Sequence, residues 1–476
     1  MSGQIYLNAS TKANLAESVG PNASILTILA ATLAAPVDEA TRRRAASHVL
    51  DWLGSTVMGA MRHGAAGFRA SIAANATGPS RVIGAGRTDW WSALQVNAAL
   101  GNIMEMDDLH RTSILHPGPV IVPGAIAVAE HIGATGEALL DAIVRGYEAT
   151  IRIGRALGTG HYKYFHNTST CGSFGAAAAS ASLLRLSPLQ TTWALANAGS
   201  RTGGLWQMRH EACETKSLHN VMAAQTGVQS AFLAMHGVRG PTKLLEGPQG
   251  LFAATADHAD PHAVVLQLDS DPYWLIHDVS FKPWPACRHA HPAIDAAMVV
   301  APQVLHPCIA SVLVETYKSA IDFCDKPNPT TELEAKFSLQ HSVAVALLQG
   351  AKQQRPTQND FAPAALSQPD IVACRNLVKV VEDQEMTCAF PRHYQARVTV
   401  TLDNGAVLAH TQHDAWGDPE LPLSMDGLQA KFRELVTGAG VSANVTKELL
   451  RTTLELATTS MASDWTAHWP TLGAAK

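Results

Sequence analysis

The chain has 476 residues, with 35 Lys or Arg against 40 Asp or Glu, so that 16% are charged and the net charge is −5; an ordinary domain carries about 25% charged residues. An apolar content of 47% excludes a disordered chain, and a pI near 6.5 excludes a basic nucleic-acid surface. So few charges cannot solvate several small domains, and one or two large bodies with thick apolar cores are expected, with a further face buried between copies.

Residues 1–20 lack the charged-then-apolar order of a secretory signal. The apolar stretches 25–35 and 120–129 are too short to span a bilayer, so a cytoplasmic protein with no membrane partner is expected. Periodic apolar residues predict a helix over 45–60, where Val49, Leu50, Leu53 and Val57 recur. Further helices are predicted over 91–106, 123–132, 136–157, 173–186, 189–198 and 219–236. Several are rich in Ala and Gly, as in 174–181, which predicts close helix packing. Near residue 270 aromatics and prolines appear, as in 281–287. Strands are predicted over 309–317 and 376–382, and a hairpin over 396–410 turns at Asn404-Gly405. A helix is predicted over 331–350, and two more over 424–435 and 442–456. The fold class expected is mainly α: a large all-helical domain (1–268), a smaller α+β lid domain (269–412), and C-terminal helices (413–476) returning to the helical body.

The seven cysteines form no C-x-x-C pair, which argues against a disulfide scaffold and a zinc ribbon. No G-x-G-x-x-G follows a strand, and neither G-x-S-x-G nor H-E-x-x-H occurs, so nucleotide-dependent redox chemistry, a nucleophile-elbow hydrolase and a zincin lose their support.

Four polar segments can carry chemistry. Glu105, Asp107, Asp108 and His110 precede His116-Pro117-Gly118 between two helices. A carboxylate beside an imidazole fixes its tautomer and basicity; a capped helix end, or a metal site from Glu105, Asp108, His110 and His116, are the other readings. His166 lies just before an Ala-rich helix, whose N-terminal N–H groups favour anions; an ordinary Ser/Thr cap is the alternative. Lys216 and His219 stand three apart, on one helix face; that face is otherwise simply solvated. Lys282, Arg288, His289 and His291 share a Pro-stiffened loop, read as anion-binding, or as a metal pair should His289 and His291 lie on a strand. Together they describe a cationic, histidine-rich pocket for a small substrate with several carboxylates.

These segments resemble the MmgE/PrpD family over nearly the whole chain. The resemblance rests on Glu105-x-x-Asp108 with His116-Pro117, on the run from Phe165-His166 through Gly172-x-Phe174-Gly175, and on Lys216-x-x-His219. It rests also on Lys282-x-Trp284-Pro285-x-Cys287 with His291, and on the segment 334–338. It implies a helical domain and a lid domain with the active site between them, a homodimer, and chemistry without a metal or organic cofactor. It implies catalytic roles for Asp108, His116, His166, Lys216 and His291. Lys216 and His291 would stabilise charge developing on a substrate carboxylate, His166 and His116 would move protons, and Asp108 would orient a histidine, with His110 as an alternative partner. His110, Arg152, His219, Lys282, Arg288 and His289 would bind substrate. The family includes 2-methylcitrate dehydratases, cis-aconitate decarboxylases and an iminodisuccinate epimerase. Leu109 replaces a hydroxyl residue and Phe323 a tyrosine of the animal decarboxylases, and Trp206–His210 adds polar groups upstream of Lys216. These departures put dehydration of a methylcitrate-like hydroxy acid ahead of decarboxylation and epimerisation. A metal-dependent hydrolase and a non-catalytic carboxylate binder are the readings from other classes.

Overall fold

The computed structural model describes residues 23–211, 213–265, 273–304 and 308–472. The expectation for residues 1–20 lies outside them. The described residues are mainly helical, with one two-stranded ribbon and one four-stranded sheet among them. Among the described residues, no helix is long and apolar enough to cross a membrane.

The chain divides into two compact units. One runs to Val279 and resumes at Asp426; the other is Ser280–Met425. These limits fall later than the sequence boundaries at 269 and 412, for reasons visible in the hydrogen bonds. Residues 273–279 are tied to the helical unit: the Glu148 carboxylate accepts from Leu275 N at 2.7 Å, and Arg155 pairs with Asp278 at 3.4 Å. Residues 415–418 are tied to the other unit, where Asp418 accepts from Ser280 Oγ at 2.6 Å and pairs with Arg288.

In the helical unit, several helices start earlier than their apolar periodicity suggests. Asp38 caps the Glu39–Gly59 helix by accepting from Thr41 N at 2.9 Å, which draws the arginine run into the helix. The helix predicted from Pro123 begins instead at Gly118; Pro119 takes the first-turn position that favours proline, and Pro123 lies inside. The helix predicted over 173–186 is Asn167–Leu183, so the Thr/Ser run forms its first turns and His166 is its N-cap. Likewise Thr215–Met235 begins before Lys216. The helix predicted over 91–106 stops at Leu100, and Glu105 adopts a left-handed φ of 54°. That break leaves residues 101–117 as a loop. The ribbon of Ser80–Arg81 with Arg87–Thr88 was not anticipated in an all-helical domain.

Asn167–Leu183 packs against both Gly136–Tyr162 and Thr215–Met235. The approach depends on glycine. A Cβ on Gly175 would lie 2.8 Å from the Gly146 carbonyl oxygen, and one on Gly227 would lie 2.5 Å from Ala176 Cβ.

In the other unit, strands Val378–Glu382, Ile309–Thr316, Ala396–Leu402 and Val407–Gln412 form a sheet in that order. The first pair is parallel and the rest antiparallel. Val312, Val314, Val398 and Val400 alternate inward and are buried. Helix His291–Val300 covers the sheet and is backed by Leu339–Ala351. The helix predicted over 331–350 breaks in two, because Ser338 caps the second part by accepting from His341 N at 3.0 Å.

Candidate active site

The loop after Leu100 is the first component of the site. Its carboxylates are buried and each has a different partner. Asp108 Oδ2 faces His48 Nδ1 at 2.6 Å and accepts from Tyr147 OH at 2.7 Å, while Oδ1 accepts from Gly118 N at 2.9 Å. Burial pushes the Asp108 carboxyl up to about 6, against the pull of the Tyr147 and Gly118 hydrogen bonds. Asp107 Oδ1 accepts from Asn102 Nδ2 at 2.9 Å, and its Oδ2 lies 3.0 Å from His116 Nδ1. Glu105 pairs with Lys216.

The expected link from the Asp108 carboxylate to a catalytic histidine therefore takes another form. His116 Nδ1 lies 2.8 Å from the Asp108 carbonyl oxygen, and its carboxylate partner is Asp107. Both of these oxygens only accept, so His116 carries a proton on Nδ1 and, when neutral, presents Nε2 as a lone pair. His110, the alternative partner, lies near Ser113 Oγ at 2.7 Å through Nδ1 and accepts from Arg155 Nη2 at 3.3 Å through Nε2. Burial lowers its pKa well below the ordinary value.

His166 sits at the head of its helix. Its backbone N donates to Gly204 O at 2.9 Å, and its ring packs against Trp206, centroids 4.6 Å apart. Nδ1 faces His219 Nδ1 at 3.1 Å. Nε2 is buried with no hydrogen-bond partner. Burial holds this imidazole well below its usual pKa; the nearby His219, Lys216 and His116 push the same way, and Asp107 opposes them. His116, His166, Lys216 and His219 thus come together in the helical unit with Glu105 and Asp107. The adjacent residues fit this arrangement, since His116 N donates to Thr168 Oγ1 at 3.0 Å in the first turn after His166.

Arg152 stands apart from this group. Nε donates to Glu148 at 2.6 Å and Nη1 to Val264 O at 3.0 Å, so it braces its helix.

In the other unit, the junction loop is buried. His289 and His291 do not lie on a strand; they occupy a 3-10 turn and the start of helix His291–Val300. A metal pair of strand geometry is therefore not formed. His289 Nδ1 lies 2.7 Å from Tyr317 OH, and its ring stacks on Tyr394. Phe323 packs against the same imidazole, centroids 5.0 Å apart. His291 Nε2 meets Ala286 O at 3.0 Å, and Arg288 Nη1 donates to Trp416 O at 3.2 Å. Lys282 is fully buried. The metal set considered in the acidic loop does not assemble either. Among the described residues, the metal-ligating side chains that converge within 4.8 Å are His393, Asp414 and Glu420.

His48, Tyr147 and Asp107 are the site residues that sequence reasoning missed. His48 and Tyr147 sit inside helices outside the four polar segments, 60 and 39 residues from the Asp108 they hold. Asp107 was visible in the acidic loop but could not be told from its neighbour.

Comparison with known proteins bears on the family of the chain. Residues 24–263 match the MmgE/PrpD N-terminal domain and residues 284–456 the MmgE/PrpD C-terminal domain. The chain is 30% identical to human cis-aconitate decarboxylase over 357 residues, covering 71% of each protein. It is 28% identical to the mouse enzyme, over 76% of this chain and 72% of that one. A cis-aconitate decarboxylase-like protein of Aspergillus oryzae is 32% identical over 34% of this chain and 35% of its own. With both domain models matched in order, the chain belongs to the MmgE/PrpD family.

Proposed function

We propose that the protein is a lyase that breaks a bond beside a carboxylate of a small di- or tricarboxylate, using His116 as base and His166 as acid. The observation that carries this reading is the free Nε2 of the buried His166, held from behind at Nδ1 and grouped with Lys216 and His116. Removing a proton next to a carboxylate places extra negative charge on that carboxylate. Lys216, an ammonium paired with Glu105 beside the two histidines, can share that charge with the substrate. Paired imidazoles of opposite tautomer suit loss of water: His116 Nε2 takes the carbon-bound proton, and His166 Nε2–H protonates the departing hydroxyl. The leading substrate is therefore a methylcitrate-like hydroxy acid. Decarboxylation of cis-aconitate is the second reading, favoured by the names of the human and mouse relatives. It needs only the proton donor and Lys216.

The deciding experiment incubates the enzyme with 2-methylcitrate, cis-aconitate and iminodisuccinate in deuterated water and follows the products by NMR. Turnover of none of them overturns the reading. His116→Gln separates the two chemistries, since dehydration falls by about 10²-fold or more without its base, whereas decarboxylation persists. Lys216→Met lowers either activity strongly. The reading includes no metal, so exhaustive chelation leaves turnover unchanged; loss on chelation with recovery on adding zinc contradicts it.

A further inference from the structure

The geometry points to His219 as a proton relay behind His166: the two rings meet Nδ1 to Nδ1 at 3.1 Å, and His219 also lines a cavity of about 640 Å³ in the helical unit. This inference rests on the reading of His166 as proton donor.

A neutral imidazole is a poor acid, because giving up its one N–H leaves an imidazolate. Burial lowers the pKa of both His166 and His219, so both rings are neutral at neutral pH. Two neutral rings facing through Nδ1 share a single proton between them, so one donates and the other accepts. With that proton on His219, His166 carries its own on Nε2. As His166 Nε2 passes this proton to the substrate, His219 passes the shared proton to His166 Nδ1. In the same movement a cavity water supplies one to His219 Nε2, and the hydroxide it leaves is neutralised by the proton that His116 releases to solvent. Once product has left, water on both sides returns the pair to its starting tautomers. One proton enters from the cavity, one leaves to the substrate, and both rings stay neutral throughout.

The surroundings support this path. The cavity lining includes Ser169, Ser173, Thr202 and Gln207, with Arg201 and Glu211 as its charged members. Its wall is mostly apolar, but these polar groups and its size allow ordered water beside His219. His166, His116 and Lys216 are not among its lining residues, so His219 joins two distinct surroundings. The close approach depends on Gly204, with φ of 120°, where a Cβ would lie 2.7 Å from Ser169 Cβ and 3.4 Å from His219 Nδ1. The charged or titratable groups acting on His166 are Lys216, His116, Asp107 and His219 itself. His219 is thus a positioning and relay residue that acts through His166 rather than by touching substrate.

The test separates relay from support. His219→Asn keeps an amide atom near the Nδ1 position, so it can hold His166 but cannot pass a proton through. Acid–base catalysis is worth about 10²–10⁴-fold, so kcat falls by about 10-fold or more while KM stays within about two-fold. In His219→Ala, imidazole added to the buffer enters the vacated space from the cavity and restores part of kcat. Wild-type kcat in His219→Asn overturns the relay, as does a loss that imidazole does not rescue in a folded His219→Ala protein. Nitrogen-15 NMR of the wild-type histidines judges the pair without any substrate: Nε2–H on His166 with Nδ1–H on His219 supports the relay, and any other pair of tautomers overturns it. Failure of the wild type on every carboxylate instead overturns the lyase reading and leaves that NMR result standing.

Discussion

Asp108 shows how far a carboxylate can be committed before any substrate arrives. Its two oxygens meet His48, Tyr147 and Gly118, and it is almost wholly buried. Such a group anchors the loop, and its main-chain carbonyl then aims His116. Tyr147→Phe leaves the buried carboxylate short of a donor and costs about 1.5–3 kcal/mol, the range for a hydrogen bond to a charged group, measurable by urea unfolding at pH 7.5. His166→Gln acts differently. It removes a ring nitrogen with no hydrogen-bond partner, so folding is retained while kcat falls by about 10²-fold or more. Circular dichroism and turnover on the same sample check both halves. The contrast between the two variants was not legible in the sequence, where Asp108 and His166 looked equally catalytic. Which histidine is committed depends on neighbours many residues away.

Among the helices, the pair Asn167–Leu183 and Thr215–Met235 carries the chemistry, one capped by His166 and the other bearing Lys216 and His219 in its first turns. Their separation sets the 3.1 Å contact between the two imidazoles. The Ala and Gly content that predicted close packing is borne out here, and Gly227 is its tightest point against the neighbouring helix. A methyl on Gly227 would lie 2.5 Å from Ala176 Cβ and 2.6 Å from Ala177 N. Gly227→Ala gains up to about 1 kcal/mol of helix propensity, but overpacking costs about 1–3 kcal/mol. A net loss of stability is expected, with a fall in kcat as the helices part. Unchanged melting temperature and unchanged kcat would show that the contact is slack. The late helix starts read from the sequence have more than one cause, and at Glu39–Gly59 it is the Asp38 cap that extends the helix through an exposed first turn. Apolar periodicity begins where the helix meets the core, whereas polar first turns such as 167–172 are helical because the tertiary structure buries them too.

For the molecule as a whole, the histidine excess becomes a matter of acid stability. Among the described residues, burial lowers the pKa of His48, His110, His161, His166, His219, His277 and His341, with His161 down to about 4. Each binds its proton more readily in the unfolded chain, so stability is lost as pH falls below about 6.5. Asp51, Asp108, Asp295 and Glu130 work in the opposite sense: burial raises the first three to about 6 and raises Glu130 as well, so the folded state gains from their protonation as pH falls. Seven histidines outweigh four carboxylates, so the urea midpoint should drop steadily between pH 7 and pH 4.5. A midpoint that rose over this range would show that the histidines are not buried neutral.

The sequence was sufficient for the mainly helical fold, the later α+β unit, the hairpin at Asn404-Gly405 and the family. All of these depend on local periodicity, turn chemistry or motif spacing, which are written along the chain. Only the tertiary structure decided that Asp107 rather than the Asp108 carboxylate faces His116, that His48 and Tyr147 hold Asp108, and that His219 stands behind His166. The physical reason is distance along the chain. A proton's location depends on which donor or acceptor lies within about 3 Å, and in this site those partners come from segments that meet only when the helices pack.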